Sequence, residues 1–346
     1  MASGSVVVAA SQVPFERGGA EWHAEALTRQ LAAAGWRACL VQLPFQWLPR
    51  EQVLRCALAW RLLDFSAAGP RPVDRLIATR FPSYVARHPR KVTWLFHQFR
   101  QAYDLHDAGI DGFPDTPEGR ELRRELVALD TRALGECRRI YTTSRTNANR
   151  LLKYNGLSAE VLRLPLLDPA SYRCEGFDPY VLSVGRLETM KRVELLVRAA
   201  AELPALRVVV AGEGTQEPAL RRLVLELGLA GRVDFRGRVP DAELKSLYAR
   251  CRAVFFAPWD EDYGLVTLEA FQSGKPVVTT SDAGGVLEFV SHAETGLVSA
   301  AEPAAIAANL TRLLEDPAEA ARLGKAGHAA VSGIGWDEVI AKLMAD

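Results

Sequence analysis

Residues 253–280 read AVFFAPWDEDYGLVTLEAFQSGKPVVTT and contain a complete strand–helix–strand unit. The apolar run Ala253–Ala257 predicts a buried strand, a polar loop follows, and a helix ends at Gly274 before a second strand at Pro276–Thr280. Parallel strands need a long crossover connection, usually a helix, whereas a tight hairpin joins only antiparallel strands. Two strands connected by a helix are therefore expected to lie parallel in one sheet. The stretch therefore predicts an α/β fold.

The same alternation continues along the whole chain, where short Val/Ile/Leu-rich runs alternate with longer segments of helical periodicity. Continuously apolar strands are typical of parallel sheets covered by helices on both faces. The pattern thus indicates doubly wound sheets. Further strands are predicted at Ser5–Ala10, Arg37–Gln42, Arg75–Ala78, Lys91–Phe96, Arg139–Thr143, Glu160–Leu164, Tyr180–Val184, Leu206–Ala211 and Arg232–Phe235.

The length of the chain and an aperiodic segment near its middle predict two domains. Its 346 residues are about twice a typical domain. Residues 164–178, LPLLDPASYRCEGFD, lack periodicity and separate two strand–helix series. Two such domains facing each other would place ligands in a cleft at the carboxyl ends of their strands. We predict Rossmann-like domains at 1–168 and 169–332, and a C-terminal helix within 333–346 that could cross back to the first domain.

Composition limits the partners and the compartment. Lys plus Arg and Asp plus Glu number 42 each, so the net charge gives no reason to expect a nucleic-acid partner. The five cysteines lack a CxxC pair, which argues against disulfides or a zinc site and favours a reducing cytoplasm. The N-terminus does not resemble a signal peptide, and no apolar run reaches about 18 residues. We expect a cytoplasmic protein, with at most peripheral contact at the inner membrane face.

Seven residues separate two glutamates near the helix of the opening stretch. Glu261 lies in the loop and Glu269 on the first helical turns, so we expect both to point into the space above the helix N-terminus. Backbone N–H groups from Asp262 to Val266 suit a diphosphate there, and carboxylates accept hydrogen bonds from sugar hydroxyls. From spacing alone, the two glutamates could equally be a solvated loop charge and a surface helix residue.

A pair of cations strengthens the functional interpretation. In SVGRLETMKRVELL, residues 183–196, a strand runs into Gly185 and Arg186, and Lys191 begins a helix. Both cations would lie at the carboxyl edge of the sheet, where they could neutralise a leaving diphosphate without a metal. Either cation alone could be a solvated surface residue. This explanation is weaker for two cations at the same strand end.

The second half resembles the retaining glycosyltransferases of family 4, within the glycosyl transferases group 1, which have the GT-B fold. The resemblance implies transfer of a hexose from a UDP- or GDP-sugar to a hydroxyl of a glycan, glycolipid or small metabolite, with retention and without a metal or other cofactor. The matching segments follow the family's order: GRLETMKR (185–192), VVVAGEGTQEPALRRL (208–223), VDFRGRVPDAELKSLYARC (233–251), EDYGLVTLEAFQSGKPVVTT (261–280), GGVLEFV (284–290) and TGLV (295–298).

The resemblance also implies roles for individual residues. Arg186 and Lys191 would bind the donor diphosphate. Glu269 would bind the ribose hydroxyls, and Glu261 the hydroxyls of the transferred sugar. Asp262 stands where the family usually has glycine, so a carboxylate would lie beside the donor sugar and the sugar's identity stays open. Gly185 would also contact the donor. Gly212, Glu213 and the backbone of Arg238 and Val239 would border the base, and backbone groups around Tyr263, Gly264, Leu265 and Val266 would contact the sugar and phosphate.

The first half matches the family more loosely, as expected for a domain that binds a variable acceptor. Gly18 and Gly19, in the segment Arg17–Glu21, follow the first strand like the family's Gly-Gly loop beside the donor phosphates, although two glycines alone also fit a turn. His97 ends the strand KVTWLFH, and the resemblance implies that it reaches the donor sugar as a catalytic residue. A lone histidine is more often a structural hydrogen-bonding residue.

Other protein classes remain as alternatives. A dinucleotide-dependent dehydrogenase would need G-x-G-x-x-G after a strand, but Gly212-Glu213-Gly214 lacks the third glycine. A GT-B epimerase or phosphorylase would share the fold. A catalytically degenerate partner that only binds nucleotide sugars would be expected to lose the charged residues, and all four are present: Arg186, Lys191, Glu261 and Glu269.

Overall fold

The structure, a computed structural model, describes residues 4–15, 18–68 and 70–345. The chain forms two compact units, one from Met1–Leu167 with Gly335–Asp346 and the other from Asp168–Ile334. The sequence placed the domain boundaries at 168/169 and 332/333.

The strands and helices alternate along the chain. The strands are β1 (Ser5–Gln12), β2 (Arg37–Pro44), β3 (Ala67–Ala68), β4 (Arg71–Pro72), β5 (Arg75–Ala78), β6 (Lys91–Leu95), β7 (Arg139–Thr142), β8 (Glu160–Val161), β9 (Tyr180–Val184), β10 (Arg207–Ala211), β11 (Val233–Gly237), β12 (Ala253–Phe255), β13 (Val277–Thr280) and β14 (Gly296–Ser299). The α-helices are α1 (Gly19–Ala33), α2 (Glu51–Leu62), α3 (Asp104–Asp107), α4 (Pro117–Gly135), α5 (Arg145–Asn155), α6 (Val193–Ala201), α7 (Glu217–Glu226), α8 (Asp241–Arg250), α9 (Leu265–Gln272), α10 (Pro303–Glu315), α11 (Pro317–Val331) and α12 (Trp336–Met344).

The first unit contains a six-stranded sheet in the order β2-β1-β5-β6-β7-β8. All neighbouring strands in it are parallel, while β3 and β4 form a separate antiparallel pair. Its core packs the sheet against apolar side chains such as Trp60 of α2 and Leu126 of α4. The order reverses its direction between β1 and β5, which makes the sheet doubly wound.

The second unit repeats this architecture with the order β11-β10-β9-β12-β13-β14, again parallel throughout. Its direction reverses between β9 and β12. The amphipathic face of α6 buries Leu196 and Val197 in the core, next to Ile306 and Leu310 of α10. Both units therefore confirm the predicted α/β class with two doubly wound parallel sheets.

The predicted strands agree with the structure except at their ends. Arg75–Ala78 and Tyr180–Val184 match, whereas the strand predicted at Glu160–Leu164 ends at Val161. This strand lies at the edge of its sheet, where only β7 supplies backbone partners. The sequence missed β14, which is only four residues long and begins with glycine. Over the described ranges, no helix combines the length and apolar character that crossing a membrane requires.

A buried arginine fixes the C-terminal helix within the first unit. Arg75 lies in β5 with 4% of its surface exposed. Its guanidinium donates to the carbonyl oxygens of Leu343 at 2.8 Å and Ala345 at 2.7 Å. The last carbonyls of a helix lack intrahelical donors and carry the negative end of its dipole. Arg75 therefore satisfies the end of α12 with a charge of the favourable sign.

Replacing Arg75 by methionine is expected to lower the free energy of unfolding by about 2–3 kcal/mol, because buried carbonyls lose a charged donor. Urea-induced unfolding followed by circular dichroism measures the change. Lys342→Met is the matched control, since Lys342 joins Glu160 in a surface ion pair, which contributes little to stability. Equal urea midpoints for Arg75→Met and the wild type would contradict this role of Arg75.

Candidate functional site

In the second unit, the predicted charges gather where the sheet reverses its direction. The loops after β9 and β12 start from neighbouring strands and lead to opposite sides of the sheet. Doubly wound folds place ligands at such a position. Arg186 and Lys191 lie in the loop after β9, and Glu261 lies in the loop after β12. The structure therefore brings Arg186, Lys191 and Glu261, which the resemblance predicts to bind the donor diphosphate and sugar, to one edge of the sheet.

The two cations of the β9 loop have different surroundings. Arg186 is exposed, and no ion pair joins it to any residue in the described part of the chain. Lys191 forms an ion pair with Glu261, and its Nζ lies 5.4 Å from the centre of the Phe256 ring. The side chains of this pair are 21% and 20% exposed. An anionic ligand could therefore reach Lys191 and compete with Glu261 for its ammonium group.

Arg192 joins three loops of this edge and was not singled out by the sequence. Its guanidinium donates to the carbonyl oxygens of Ala257 at 2.9 Å and Pro258 at 3.0 Å, and to the Thr280 hydroxyl at 2.8 Å. It also binds both oxygens of Asp282 at 2.7 Å and lowers the pKa of that carboxyl. These bonds connect the chain after β9 to the loops after β12 and β13.

A glycine turn after β13 fixes the backbone of Glu261. Gly285 donates its N–H to the Glu261 carbonyl at 2.7 Å, and Glu261 donates to the Ala283 carbonyl at 3.3 Å. Gly284 has φ +60°, and a Cβ at this position would lie 2.7 Å from backbone atoms of Asp260 and Glu261. Only glycine fits such a conformation and such a close approach. The turn thus determines where the Glu261 side chain starts.

The loop after β10 lies directly against the loop after β9. Gly212, with φ +146°, approaches Gly185 so closely that a Cβ would overlap the Gly185 carbonyl. The two loops also share a backbone hydrogen bond of 2.9 Å from Leu187 to Glu213. Gly185, Gly212 and Glu213 are therefore brought together, and the contact of Gly212 and Glu213 with a base stays a prediction.

Arg238 and Val239 begin the loop after β11, next to the same region. The Arg238 N–H donates to the carboxylate of Glu213 at 3.2 Å. Gly212 donates its N–H to the Gly237 carbonyl at 2.8 Å. The Arg238 side chain is exposed and the Val239 side chain is partly buried. The segment thus presents mainly its backbone beside Glu213, as expected for a backbone contact to a base.

The N-terminus of α9 follows Glu261 and supplies backbone donors. Leu265 and Val266 are its first residues, and the first N–H groups of a helix lack intrahelical acceptors. Gly264 precedes them, and a Cβ at this position would lie 2.9 Å from the Val286 side chain and 3.1 Å from that of Phe256. These groups and the helix dipole suit an anionic ligand.

The side chain of Tyr263 packs inside the unit, so a contact of this residue with an anionic ligand would come from its backbone. Its ring is buried and packs edge-on against Phe289, with ring centres 5.2 Å apart. Asp262 is partly buried, and its carbonyl oxygen lies beside Gly285. Among these two residues, only Asp262 keeps a side chain that could approach a donor sugar.

Glu269 has partners different from those of Glu261. It is the fifth residue of α9 and accepts a hydrogen bond of 2.6 Å from the Tyr248 hydroxyl of α8. Burial raises the pKa of Glu269 to about 7, against the opposing effect of hydrogen bonds from Tyr248 and Tyr172. The two glutamates therefore have different partners, and their orientation toward one space above the helix N-terminus stays a prediction. The sequence did not identify either tyrosine.

The remaining predicted residues lie in the first unit. Gly18 precedes α1, and Gly19 is the first residue of that helix. The N–H of Gly18 donates to the Glu21 carboxylate at 2.9 Å. Glu21 also pairs with Arg80, which follows β5 on the other side of the sheet reversal. The Gly-Gly loop thus lies at the first unit's own reversal point, while Arg17 lies outside the described residues.

His97 lies two residues beyond β6, because the strand ends at Leu95 rather than at the histidine. The side chain is partly buried, and its Nδ1 lies 2.8 Å from the Gln98 carbonyl oxygen. The strand is shorter than predicted, yet His97 still belongs to the loop at the carboxyl edge of the first sheet. Its catalytic role stays a prediction.

Comparison with known proteins assigns the family. The sequence profile of the glycosyl transferases group 1 matches residues 169–330. This range contains every strand and loop of the site described for the second unit. The second unit is a glycosyl transferases group 1 domain. The predicted resemblance to group 1 is thereby confirmed.

Curated relatives of this chain include two D-inositol 3-phosphate glycosyltransferases. That of Nocardia farcinica is 32% identical over 279 residues, which make up 77% of this chain and 53% of the relative. That of Frankia alni is 36% identical over 187 residues, or 49% of this chain and 46% of the relative. The matches thus span about half the length of these relatives.

Solved structures resemble the whole chain. Sucrose-phosphate synthase of Thermosynechococcus elongatus has a TM-score of 0.77 at 20% identity, covering 98% of this chain and 97% of the other. HepE of Anabaena, in complex with UDP-glucose, has a TM-score of 0.72 at 19% identity, covering 98% of both. Identities this low show the fold alone, and they confirm the predicted GT-B fold.

Gly284→Ala is expected to destabilise the loop of Glu261 and lower the melting temperature by about 4 °C or more, because the added Cβ collides with backbone that cannot swing aside. Differential scanning fluorimetry measures the shift. Gly231→Ala is the control, since a Cβ there meets no atom within 4 Å. Equal melting temperatures for the two variants would contradict the close packing of Gly284.

Proposed function

We propose that this group 1 chain is a metal-independent retaining glycosyltransferase of family 4 that transfers a hexose from a nucleoside diphosphate sugar to a hydroxyl acceptor. The observation that carries the proposal is the placement of Arg186, Lys191 and Glu261 at the reversal point of the second sheet. The two cations suit the negative charge of a diphosphate, and the carboxylate beside them can accept hydrogen bonds from the hydroxyls of the attached sugar. The acceptor would be a glycan, a lipid-linked sugar or a small metabolite.

The charges at this edge fit the demands of diphosphate departure. Negative charge accumulates on the leaving group as the sugar–oxygen bond breaks, and cations fixed beforehand stabilise it. Arg186 would bind the diphosphate through its exposed guanidinium. Lys191 would exchange its carboxylate partner for a phosphate oxygen, which leaves Glu261 to accept hydrogen bonds from the sugar hydroxyls. The N-terminus of α9 would add backbone donors.

Transfer with retention follows from a front-face route in this proposal. A leaving phosphate oxygen takes the proton of the acceptor hydroxyl on the same face of the sugar, while the acceptor oxygen bonds to the anomeric carbon. Neither Glu261 nor Glu269 then needs to act as nucleophile or general base. The contribution of the protein is to position the donor and stabilise its charge. The roles of Gly18, Gly19 and His97 toward the donor stay predictions.

The related proteins guide the choice of donor and compartment. HepE of Anabaena was solved with UDP-glucose, and a TarM structure of S. aureus includes UDP. These ligands belong to those proteins, but they make UDP-sugars the first donors to test here, followed by GDP-sugars. All five cysteines are free thiols, which supports a reducing cytoplasm. We place the reaction there, with at most peripheral contact at the inner membrane face.

A thermal-shift series with UDP-, GDP- and ADP-sugars tests donor binding, because a ligand that binds only the folded state raises the melting temperature. We expect one nucleotide class to raise it. Product nucleotide is then measured with and without a panel of hydroxyl acceptors. No shift with any donor would refute the proposal, and binding without turnover would indicate a degenerate partner. Inversion of one stereocentre of the donor sugar, without transfer to an acceptor, would indicate an epimerase.

Arg186→Ala and Lys191→Ala are each expected to lower kcat/KM at least about 100-fold, because a fixed cation no longer stabilises the leaving diphosphate. Nucleotide release measures activity, and circular dichroism verifies folding. Arg198→Ala, which removes an exposed cation from α6, is the control and should keep wild-type activity. Full activity in either site variant would refute the proposed diphosphate contacts.

A further inference from the structure

Two tyrosine hydroxyls converge on Glu269. Tyr248 is fully buried, and its hydroxyl donates to Oε2 of Glu269 at 2.6 Å. The Tyr172 hydroxyl faces this carboxylate as well and lowers its pKa. The tyrosine rings pack edge-on with centres 6.0 Å apart. Tyr248 therefore holds the carboxylate by a hydrogen bond, and Tyr172 faces it from a different segment of the chain.

The segment of Tyr172 is itself fixed to the second unit. Tyr172 follows a 3₁₀ turn at Pro169–Ser171, outside the regular sheet and helices. Just beyond it, Glu175 donates its N–H to the Ala249 carbonyl of α8 at 2.8 Å. The buried Lys275, which follows α9, binds the Gly176 carbonyl. These bonds hold the segment against both helices and keep Tyr172 beside Glu269.

The protonation states of Tyr172, Tyr248 and Glu269 determine which groups donate hydrogen bonds and which accept them. Burial raises the pKa of Tyr248 and of Tyr172 far above the ordinary value, so both hydroxyls stay protonated and can donate. Asp241 and Lys245 of α8 also face Glu269, with opposing effects on its charge. Their own ion pair, at 2.6 Å, largely balances the two effects. The tyrosines are thus the groups that specifically favour the acceptor form of Glu269.

A ribose presents two adjacent hydroxyls, and a carboxylate recognises such a pair only when it is ionised and correctly turned. We propose that Tyr172 and Tyr248 are positioning residues that hold the Glu269 carboxylate so that it accepts hydrogen bonds from the ribose hydroxyls of the nucleotide. The inference rests on the proposed function, because it takes a nucleotide as the ligand. It adds two residues that would act through Glu269 without touching the reacting atoms.

Paired nucleotides provide a readout specific for the ribose hydroxyls. UDP, GDP and ADP are each compared with the 2′,3′-dideoxy form by calorimetry. We expect the wild type to prefer the form with hydroxyls. Tyr248→Phe should reduce this preference about tenfold, as for the loss of one hydrogen bond to a charged group, and Tyr172→Phe should reduce it less. The affinity for the dideoxy form should stay unchanged.

The pH dependence separates positioning from general damage to the fold. Glu269 must be ionised to accept hydrogen bonds, and its pKa is raised to about 7. Nucleotide affinity of the wild type should therefore fall as the pH drops below about 7. Each tyrosine hydroxyl favours the ionised form, so its removal should raise this midpoint. Titration of the ¹³C-labelled Glu269 carboxyl by NMR gives the same comparison without a nucleotide.

Two further variants serve as references. Tyr180→Phe removes a hydroxyl that donates to the Leu247 carbonyl of α8 at 2.7 Å, away from Glu269. It should keep both the ribose preference and the pH midpoint. Glu269→Gln keeps the shape of the side chain and should lose the preference and its pH dependence. It also tests the ribose site if a tyrosine variant fails to fold.

The outcomes distinguish the positioning role of the tyrosines from the proposed function of the chain. If the wild type prefers ribose hydroxyls and both tyrosine variants keep this preference and the midpoint, the positioning role is refuted and the proposed function stands. An unchanged carboxyl titration in both variants also refutes the positioning role. If none of the three nucleotides binds the wild type, the proposed function fails and the ribose role of Glu269 fails with it.

Discussion

Parallel pairing of strands constrains everything else in both units, because each connection must cross back over its sheet and all carboxyl ends share one edge. In the second unit, the chain fills one side of the sheet with β9, β10 and β11 and then the other with β12, β13 and β14. The loops at the reversal therefore start side by side. This geometry brings Lys191 to Glu261 although 70 positions separate them in the sequence.

The edge so formed is held by backbone contacts that leave the charged side chains available. Glycines let the loops after β9 and β10 touch, and the turn after β13 bonds to the backbone of Glu261. The guanidinium of Arg192 donates to backbone carbonyls and to Asp282 and so connects the loops, whereas Arg186 stays exposed. The backbone that carries the charges is thus fixed before a charged ligand arrives, and only side chains such as Lys191 and Glu261 need to change partners.

The two glutamates show how surroundings separate residues that look alike in the sequence. Glu261 shares an ion pair on a partly exposed loop. Glu269 lies between tyrosine hydroxyls, where burial raises its pKa to about 7. The first carboxylate is suited to exchange partners, and the second to recognise a hydroxyl pair in a fixed direction. Such a division fits a ligand with a charged centre and hydroxyls on both sides.

The sequence by itself determined the fold class, every strand of the two six-stranded sheets except β14, the loops that carry Arg186, Lys191 and Glu261, and the helix that carries Glu269. Hydrophobic period and glycine sterics are local properties, so a sequence pattern can show them. The Arg192 bonds, the Gly284 turn and the tyrosines around Glu269 were decided only by the tertiary structure. A tyrosine on a core face has the same pattern in sequence whether its hydroxyl meets a carbonyl or a carboxylate. Its partner depends on how distant segments pack, which no local pattern encodes.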